Sequence, residues 1–176
     1  MMEASASGLR IRSAGPADRV SILATVRAAF AGDGHDEQEE VDIVESIWSL
    51  HAEAEGLDLV AIRNDEVVGH VLGSWGDLDG HPVVGVAPLA VKPIHQGSGV
   101  GAALMTRIIR IGESDSFPLF VLLGDPGYYR RFGFEPAGRF GVWHQPAGRD
   151  NPHFMLRRFP SFSGCPPGQY RYAWEL

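Results

Sequence analysis

Cysteine is almost missing from this chain: among 176 residues there is one, Cys165. A lone thiol makes no internal disulfide and has no metal ligands beside it, so a disulfide scaffold is excluded and a reducing cytoplasm is indicated. Cys165 itself reads as an inert thiol, because a reactive one needs an activating setting. No set of His, Cys and carboxylate residues has metal-ligand spacing, and no metal is expected. Long apolar runs are absent too: none approaches the roughly 18 residues that cross a bilayer. The opening Met-Met-Glu-Ala-Ser-Ala-Ser-Gly lacks the basic and hydrophobic regions of a secretory signal, and residues 1–8 read as a flexible tail. Basic residues are outnumbered, 15 Lys and Arg against 22 Asp and Glu, for a net charge of −7. That balance argues against nucleic acid as the main partner, as the apolar pattern argues against a membrane.

What the chain does have is enough length and apolar content (44%) for one globular domain with a sizeable core, expected over 9–176. Its charge is unevenly spread. Residues 33–66 carry twelve acids against Arg63, whereas 126–176 carry seven Arg against Glu135, Asp150 and Glu175. The plain reading is solvated surface; the functional one sets the acids near an amine and some arginines near an anionic cofactor.

Leu9 to Arg12 alternates like a strand. After Pro16, residues 17–30 place Val20, Leu23, Ala24, Arg27 and Phe30 at helical spacing, and 37–50 place Val41, Val44, Ile47 and Trp48 on one helix face. Leu57–Ile62 and Val67–Trp75 read as a hairpin around Asn64-Asp65-Glu66, and 76–82 as a loop. Val83–Val91 is a strand whose Pro88 implies a bulge. A helix follows over 99–111 with Leu104, Ile108 and Ile111 inward, then a strand over Leu119–Leu123 and a short helix over Tyr128–Phe132. Beyond Pro136, strand-like pieces at Phe154–Phe159 and Gln169–Trp174 are expected to extend the sheet and wall one end of an acceptor cleft.

The most informative stretch is Leu89-Ala90-Val91-Lys92-Pro93-Ile94-His95-Gln96-Gly97-Ser98-Gly99-Val100-Gly101-Ala102. A strand ends, a polar loop follows, and three glycines lead into a helix. Glycines let backbone N–H groups approach a ligand closely, and a helix start adds unpaired donors and a positive dipole end. Together they form a seat for phosphate or pyrophosphate. A Walker A loop is excluded, because Gly101 is followed by Ala102-Ala103 instead of Lys-Ser/Thr. A dinucleotide fingerprint fits Gly97 to Ala102, yet five residues separate Val91 from the first glycine, where a tight turn is needed, and the chain beyond Asp125 lacks a further alternation of helix and strand.

Gln96-Gly97-Ser98-Gly99-Val100-Gly101 also matches the Q/R-x-x-G-x-G/A signature of the GNAT-type N-acetyltransferases. Downstream, Tyr128-Tyr129-Arg130-Arg131-Phe132-Gly133-Phe134 is similar to that superfamily's aromatic-Tyr-x-x-x-Gly-Phe segment, with one strand-like run between the two motifs. The chain thus resembles this superfamily over about 9–136, with 137–176 as an unusual extension.

The resemblance implies an α/β (α+β) three-layer fold. In it a central mixed, mostly antiparallel sheet has helices on both faces and a bulged fourth strand splayed from the fifth. It implies acetyl-CoA or coenzyme A as co-substrate, held by backbone donors from Gln96, Gly97, Ser98, Gly99, Val100, Gly101 and Ala102, with Leu89, Ala90 and Val91 pairing with the pantetheine arm. It implies transfer of an acetyl group to a primary amine by direct attack, with Tyr129 as general acid. One departure is Gly124-Asp125-Pro126-Gly127, where many relatives have an Asn and a longer helix. The base is not identified by any motif; His35, Asp36 and Glu37 on the first interhelical loop are the candidates, His35 because imidazole titrates near neutrality. His81, His95, His144 and His153 have weaker claims. Acetyl transfer to a small-molecule or peptide amine is the leading expectation. A non-catalytic acyl-CoA-binding regulatory module and transfer of a longer acyl group are the alternatives, and homodimerisation stays open.

Overall fold

The computed structural model describes residues 8–32, 34, 36–145 and 148–176, so the expected 1–8 tail lies outside it except for Gly8. Two compact units result, Met1–Leu72 with Pro88–Ile108, and Gly73–Ala87 with Ile109–Leu176. In chain order the strands and helices are β1 (Leu9–Ser13), α1 (Arg19–Phe30), α2 (Glu37–Leu50), β2 (Glu53–Arg63), β3 (Glu66–Leu78), β4 (His81–Val91), α3 (Val100–Ser114), β5 (Leu119–Leu123), α4 (Pro126–Tyr129), β6 (Glu135–Pro136), β7 (Val142–His144), β8 (Phe154–Arg158) and β9 (Gly168–Arg171). The sheet is mixed and mostly antiparallel, in the order β1-β2-β3-β4-β5-β8-β6, with β9 beside β3 and β7 beside β9. Parallel pairs occur at β4–β5 and β7–β9.

In the first unit β1 lies antiparallel to β2, Leu9 opposite Arg63 and Ser13 opposite Leu59. Asn64 and Asp65 both have positive φ, 51° and 61°, the signature of a two-residue type I′ turn whose twist suits a hairpin. Helix α2 begins where Asp36 accepts a hydrogen bond from Gln38 N at 2.9 Å, and it buries Val41, Val44, Ile47 and Trp48 as their spacing predicts. Helix α1 corrects the expected face. Its buried residues are Ile22, Thr25, Val26 and Ala29, while Val20 is 82% exposed. Apolar residues surround this helix, so periodicity alone could not choose a side. Thr25 is accommodated in the core because its hydroxyl donates to Ser21 O at 2.8 Å, with Val67 O at 3.3 Å.

Alternation along β3 builds the layers. A Cβ on Gly69 would meet Val100 and Leu104 of α3 at about 3 Å, whereas the next residue, His70, turns to the other face and lies 6.5 Å from the Trp48 ring of α2. At the β1–α1 turn, Arg12 Nη1 and Nη2 donate to Asp18 at 2.7 and 2.9 Å, and Gly15 N donates to the same carboxylate at 2.8 Å. The guanidinium hydrogen bonds hold the Asp18 carboxyl down at about 2. A carboxylate whose folded pKa is depressed stabilises the protein above its unfolded value, and that contribution fades as pH falls from about 4 toward 2. Acid unfolding followed by circular dichroism should therefore show a shallower stability loss across this window in Arg12→Gln than in the parent. Parallel profiles would refute it.

In the second unit, the expected loop over 76–82 is replaced by continuous strands. β3 runs to Leu78, β4 starts at His81, and only Asp79 and Gly80 (φ 48° and 84°) turn between them. The extension explains this. β9 pairs Tyr170 with Leu78 and Arg171 with Asp77, giving the end of β3 a partner from far along the chain. The Tyr170 hydroxyl donates to Val83 O at 3.3 Å and lies 2.3 and 2.5 Å from where a Cβ on Gly76 or Gly85 would stand. A methyl at either glycine would overpack the site, at a cost of about 1–3 kcal/mol. β8 pairs along the whole of β5, from Leu119–Arg158 to Leu123–Phe154. Leu78, Val83, Val121, Phe154, Leu156, Tyr170 and Tyr172 form the core of this unit, so the segment after Pro136 does extend the sheet. β4 pairs parallel with β5 through Val84–Phe120 and Gly85–Val121.

Candidate active site

Burial along β4 changes at its middle. Val83 to Val86 are all buried, and thereafter Pro88 and Ala90 are buried while Ala87, Leu89 and Val91 are half-buried, so one side of the strand's second half is less covered. After Val91 the chain makes a 3-10 turn over Pro93–His95 and enters α3 at Val100. Gln96 Nε2 donates to Val91 O at 3.0 Å and Ser98 Oγ to His95 O at 2.6 Å, bracing the loop from within. Gly97 and Gly99 have φ of 72° and 86°, the left-handed region. An ideal Cβ at either would meet nothing within 4 Å, so packing does not demand glycine there; the backbone conformation does, and the space outside stays open.

The consequence concerns main-chain donors. Ala103 N bonds to Gly99 O at 3.0 Å, the first helical hydrogen bond after the turn. Among the described residues no acceptor takes up the N–H groups of Gly97 to Ala102. Residues 96–99 are exposed, and Val100 and Leu104 beneath them are buried against Gly69, which fixes the helix start on β3. A rigid cluster of free amides at a helix N-terminus favours an anion with several acceptor oxygens. Nearby charges are unequal in availability. Lys92 is bound in an ion pair to Glu66, whose carboxyl it holds below the ordinary range. Arg63, at the end of β2, places Nη1 3.3 Å from both Ser98 Oγ and His95 Nδ1. Sequence reading missed Arg63, because no local motif marks it and its contacts reach 32 and 35 residues along the chain.

In the second unit, Asp125 caps α4, accepting from Gly127 N at 2.9 Å, with Pro126 in the first turn where its missing N–H costs nothing. A 3-10 turn over Arg130–Phe132 ends at Gly133, φ 83°. The ring of Tyr129 rests edge-on to Tyr128 and Phe134, with centroids 5.0 and 6.0 Å away. It also lies across Gly124, where a Cβ would be 2.3 Å from Cε2. Burial pushes the Tyr129 phenol well above its ordinary value, with smaller contributions from Tyr128 and Asp125. Its hydroxyl has no hydrogen-bond partner among the described residues. Tyr128 is half-buried and carries the Arg131 guanidinium over its ring at 4.6 Å.

Of the candidates for the base, His35 lies outside the described residues, Asp36 serves as the α2 cap, and Glu37 is half-buried in the first turn of α2. Three part-buried polar contacts have no local sequence signal. Asp58 accepts from Trp48 Nε1 at 3.0 Å and pairs with His70 Nε2 at 2.8 Å, and His144 Nε2 lies 2.9 Å from Glu175 Oε1. Among the described residues no cluster of His, Cys, Asp and Glu has the makings of a metal site, and no helix is long and apolar enough to cross a membrane.

This geometry has counterparts. Residues 22–134, nearly two thirds of the chain, match the Acetyltransferase (GNAT) family. The uncharacterized N-acetyltransferase YjhQ of Escherichia coli (strain K12) is 37% identical over 103 residues, which span 56% of this chain and 56% of that relative. The uncharacterized N-acetyltransferase YhbS of the same strain is 33% identical over 130 residues, 69% of this chain and 71% of YhbS. The crystal structure of YhbS from Escherichia coli in complex with CoA superposes with a TM-score of 0.83 at 29% identity, covering 96% of this chain and 91% of that one. A GNAT family acetyltransferase from Brucella melitensis in complex with acetyl-CoA gives 0.79 at 29% identity, covering 96% and 98%. Loop signature, strand order and these matches converge, and the chain belongs to the GNAT acetyltransferase family.

Proposed function

We propose that this chain is an N-acetyltransferase that passes the acetyl group of acetyl-CoA to a primary amine by direct attack while both substrates are bound, as a single domain over 9–176 in the cytoplasm. The observation that carries the reading is the set of unclaimed amides from Gly97 to Ala102, opened by two left-handed glycines at the start of α3. Coenzyme A presents a diphosphate of matching chemistry, and two neighbours at 29% identity were crystallised with CoA or acetyl-CoA. Bound acetyl-CoA would supply an activated thioester.

Gln96 to Ala102 hold the diphosphate, Gln96 by keeping the loop folded back on Val91. Leu89, Ala90 and Val91 offer backbone groups from the less covered half of β4 to the pantetheine arm. Backbone donors at that strand polarise the carbonyl under attack, the kind of preorganised stabilisation that contributes several kcal/mol. The amine nitrogen forms a bond to the acetyl carbon, the carbon–sulfur bond breaks, the amine sheds one proton and the departing sulfur receives one. Tyr129 is the donor to sulfur: its phenol stays protonated far into the alkaline range, and its hydroxyl is free to face a ligand. The amine proton passes to a base on the loop before α2, with His35, Asp36 and Glu37 as candidates; the capping bond on Asp36 makes it the least available of the three.

Free-thiol release from acetyl-CoA, followed across a panel of small amines and amino-terminal peptides, tests the proposal. Amine-dependent release well above hydrolysis is expected with at least one acceptor class. Tight coenzyme A binding with no release across the panel would overturn transfer and favour an acyl-CoA-binding module.

A further inference from the structure

Every donor assigned so far to the diphosphate is a neutral amide, and the anion's charge has no partner. Lys92, the chain's one lysine, is spent on Glu66. Arg63 is different. It is half-buried at the end of β2, with Nη1 directed to Ser98 and His95 and no carboxylate in ion-pair range among the described residues. Its Nε is buried without an acceptor, and Nη2 has none either among the described residues. A guanidinium carries five donors and cannot shed its proton, so such a group beside a cluster of free amides lacks only an anion. Ser98 sharpens the point. Its one hydroxyl proton is committed to His95 O, which leaves it as an acceptor tethering Arg63 rather than as a donor to ligand.

We infer that Arg63 binds a phosphate group of coenzyme A directly, supplying the positive charge that the glycine loop lacks. This deepens the acetyl-CoA reading and rests on it. The shared chemistry is a phosphate oxygen, either in the diphosphate or on the ribose 3′ position. A charge-assisted hydrogen bond of this kind is expected to weaken binding by about 10- to 100-fold when removed.

The test is calorimetry of the full chain and of Arg63→Gln with coenzyme A and with 3′-dephospho-coenzyme A, at low and high salt, with Ser98→Ala alongside. An equal loss with both ligands places Arg63 on the diphosphate, and a loss with coenzyme A alone places it on the 3′-phosphate. In either case the loss shrinks at high salt, and Ser98→Ala, which keeps the cation, costs clearly less. Unchanged affinity in Arg63→Gln overturns the inference while leaving the cofactor reading intact. So does a salt-independent loss reproduced in full by Ser98→Ala, which would make Arg63 a brace of the loop. Failure of the parent protein to bind either ligand would sink the cofactor reading itself.

Discussion

Gly99→Val is expected to lower affinity for coenzyme A at least about 100-fold in a protein that still folds, as two or three charge-assisted amide hydrogen bonds are lost together. The backbone at Gly99 sits at φ 86°, where a β-branched residue is strained by roughly 1–2 kcal/mol, and no protein atom lies within 4 Å of the added Cβ. Relief comes by rotating the peptide, which turns the amides away from their common focus. Gly80 provides the control. Its φ of 84° and open surroundings match, but it sits in the β3–β4 turn, so Gly80→Val reports strain alone. Both variants should unfold a few degrees early by calorimetric scan, about 2–4 °C per kcal/mol for a chain of this size. Only Gly99→Val should lose coenzyme A. Equal affinities in the two would remove the loop from the site.

Tyr129→Phe deletes one oxygen and leaves the ring on Gly124. Turnover is expected to fall by roughly 10²–10⁴ with coenzyme A affinity nearly unchanged, the mark of a group that acts on the leaving sulfur rather than on binding. The pH profile adds a second signature. An ordinary phenol ionises near 10; burial raises that of Tyr129, so its neutral, proton-bearing form persists above that value and the parent should show no alkaline limb from it below about pH 10. Steady-state rates of both proteins across pH, with the acceptor found in the thiol-release screen, decide the matter. Near-normal turnover in Tyr129→Phe would reassign the residue to packing.

Much of this architecture is legible in the residues. The α2 stripe, β5 and the Asn64-Asp65 turn follow from local patterns, because each is decided by spacing or by residues that tolerate positive φ. The glycine loop is legible for the same reason. What escapes is non-local. The face of α1 depends on a threonine hydroxyl bonded within the core, which a hydropathy pattern counts as polar. The ends of β3 and β4 are set by β9, some ninety residues away, through glycines whose purpose is to make room for Tyr170. Within the site, Gly97 and Gly99 announce themselves, whereas Arg63 reaches the loop only because the β2–β3 hairpin carries it there. The Gly124-Asp125-Pro126-Gly127 segment, a departure from the family pattern, builds a compact cap for α4 and a seat for the Tyr129 ring.

In the proposed function, bare main-chain amides at the start of α3 hold the cofactor's diphosphate. The most direct measurement is an amide nuclear magnetic resonance titration of the ¹⁵N-labelled protein with coenzyme A. The largest shifts are predicted at Gly97, Ser98, Gly99, Val100, Gly101 and Ala102, moving downfield as each N–H gains a phosphate acceptor. Saturable binding that leaves those six resonances in place would contradict the account.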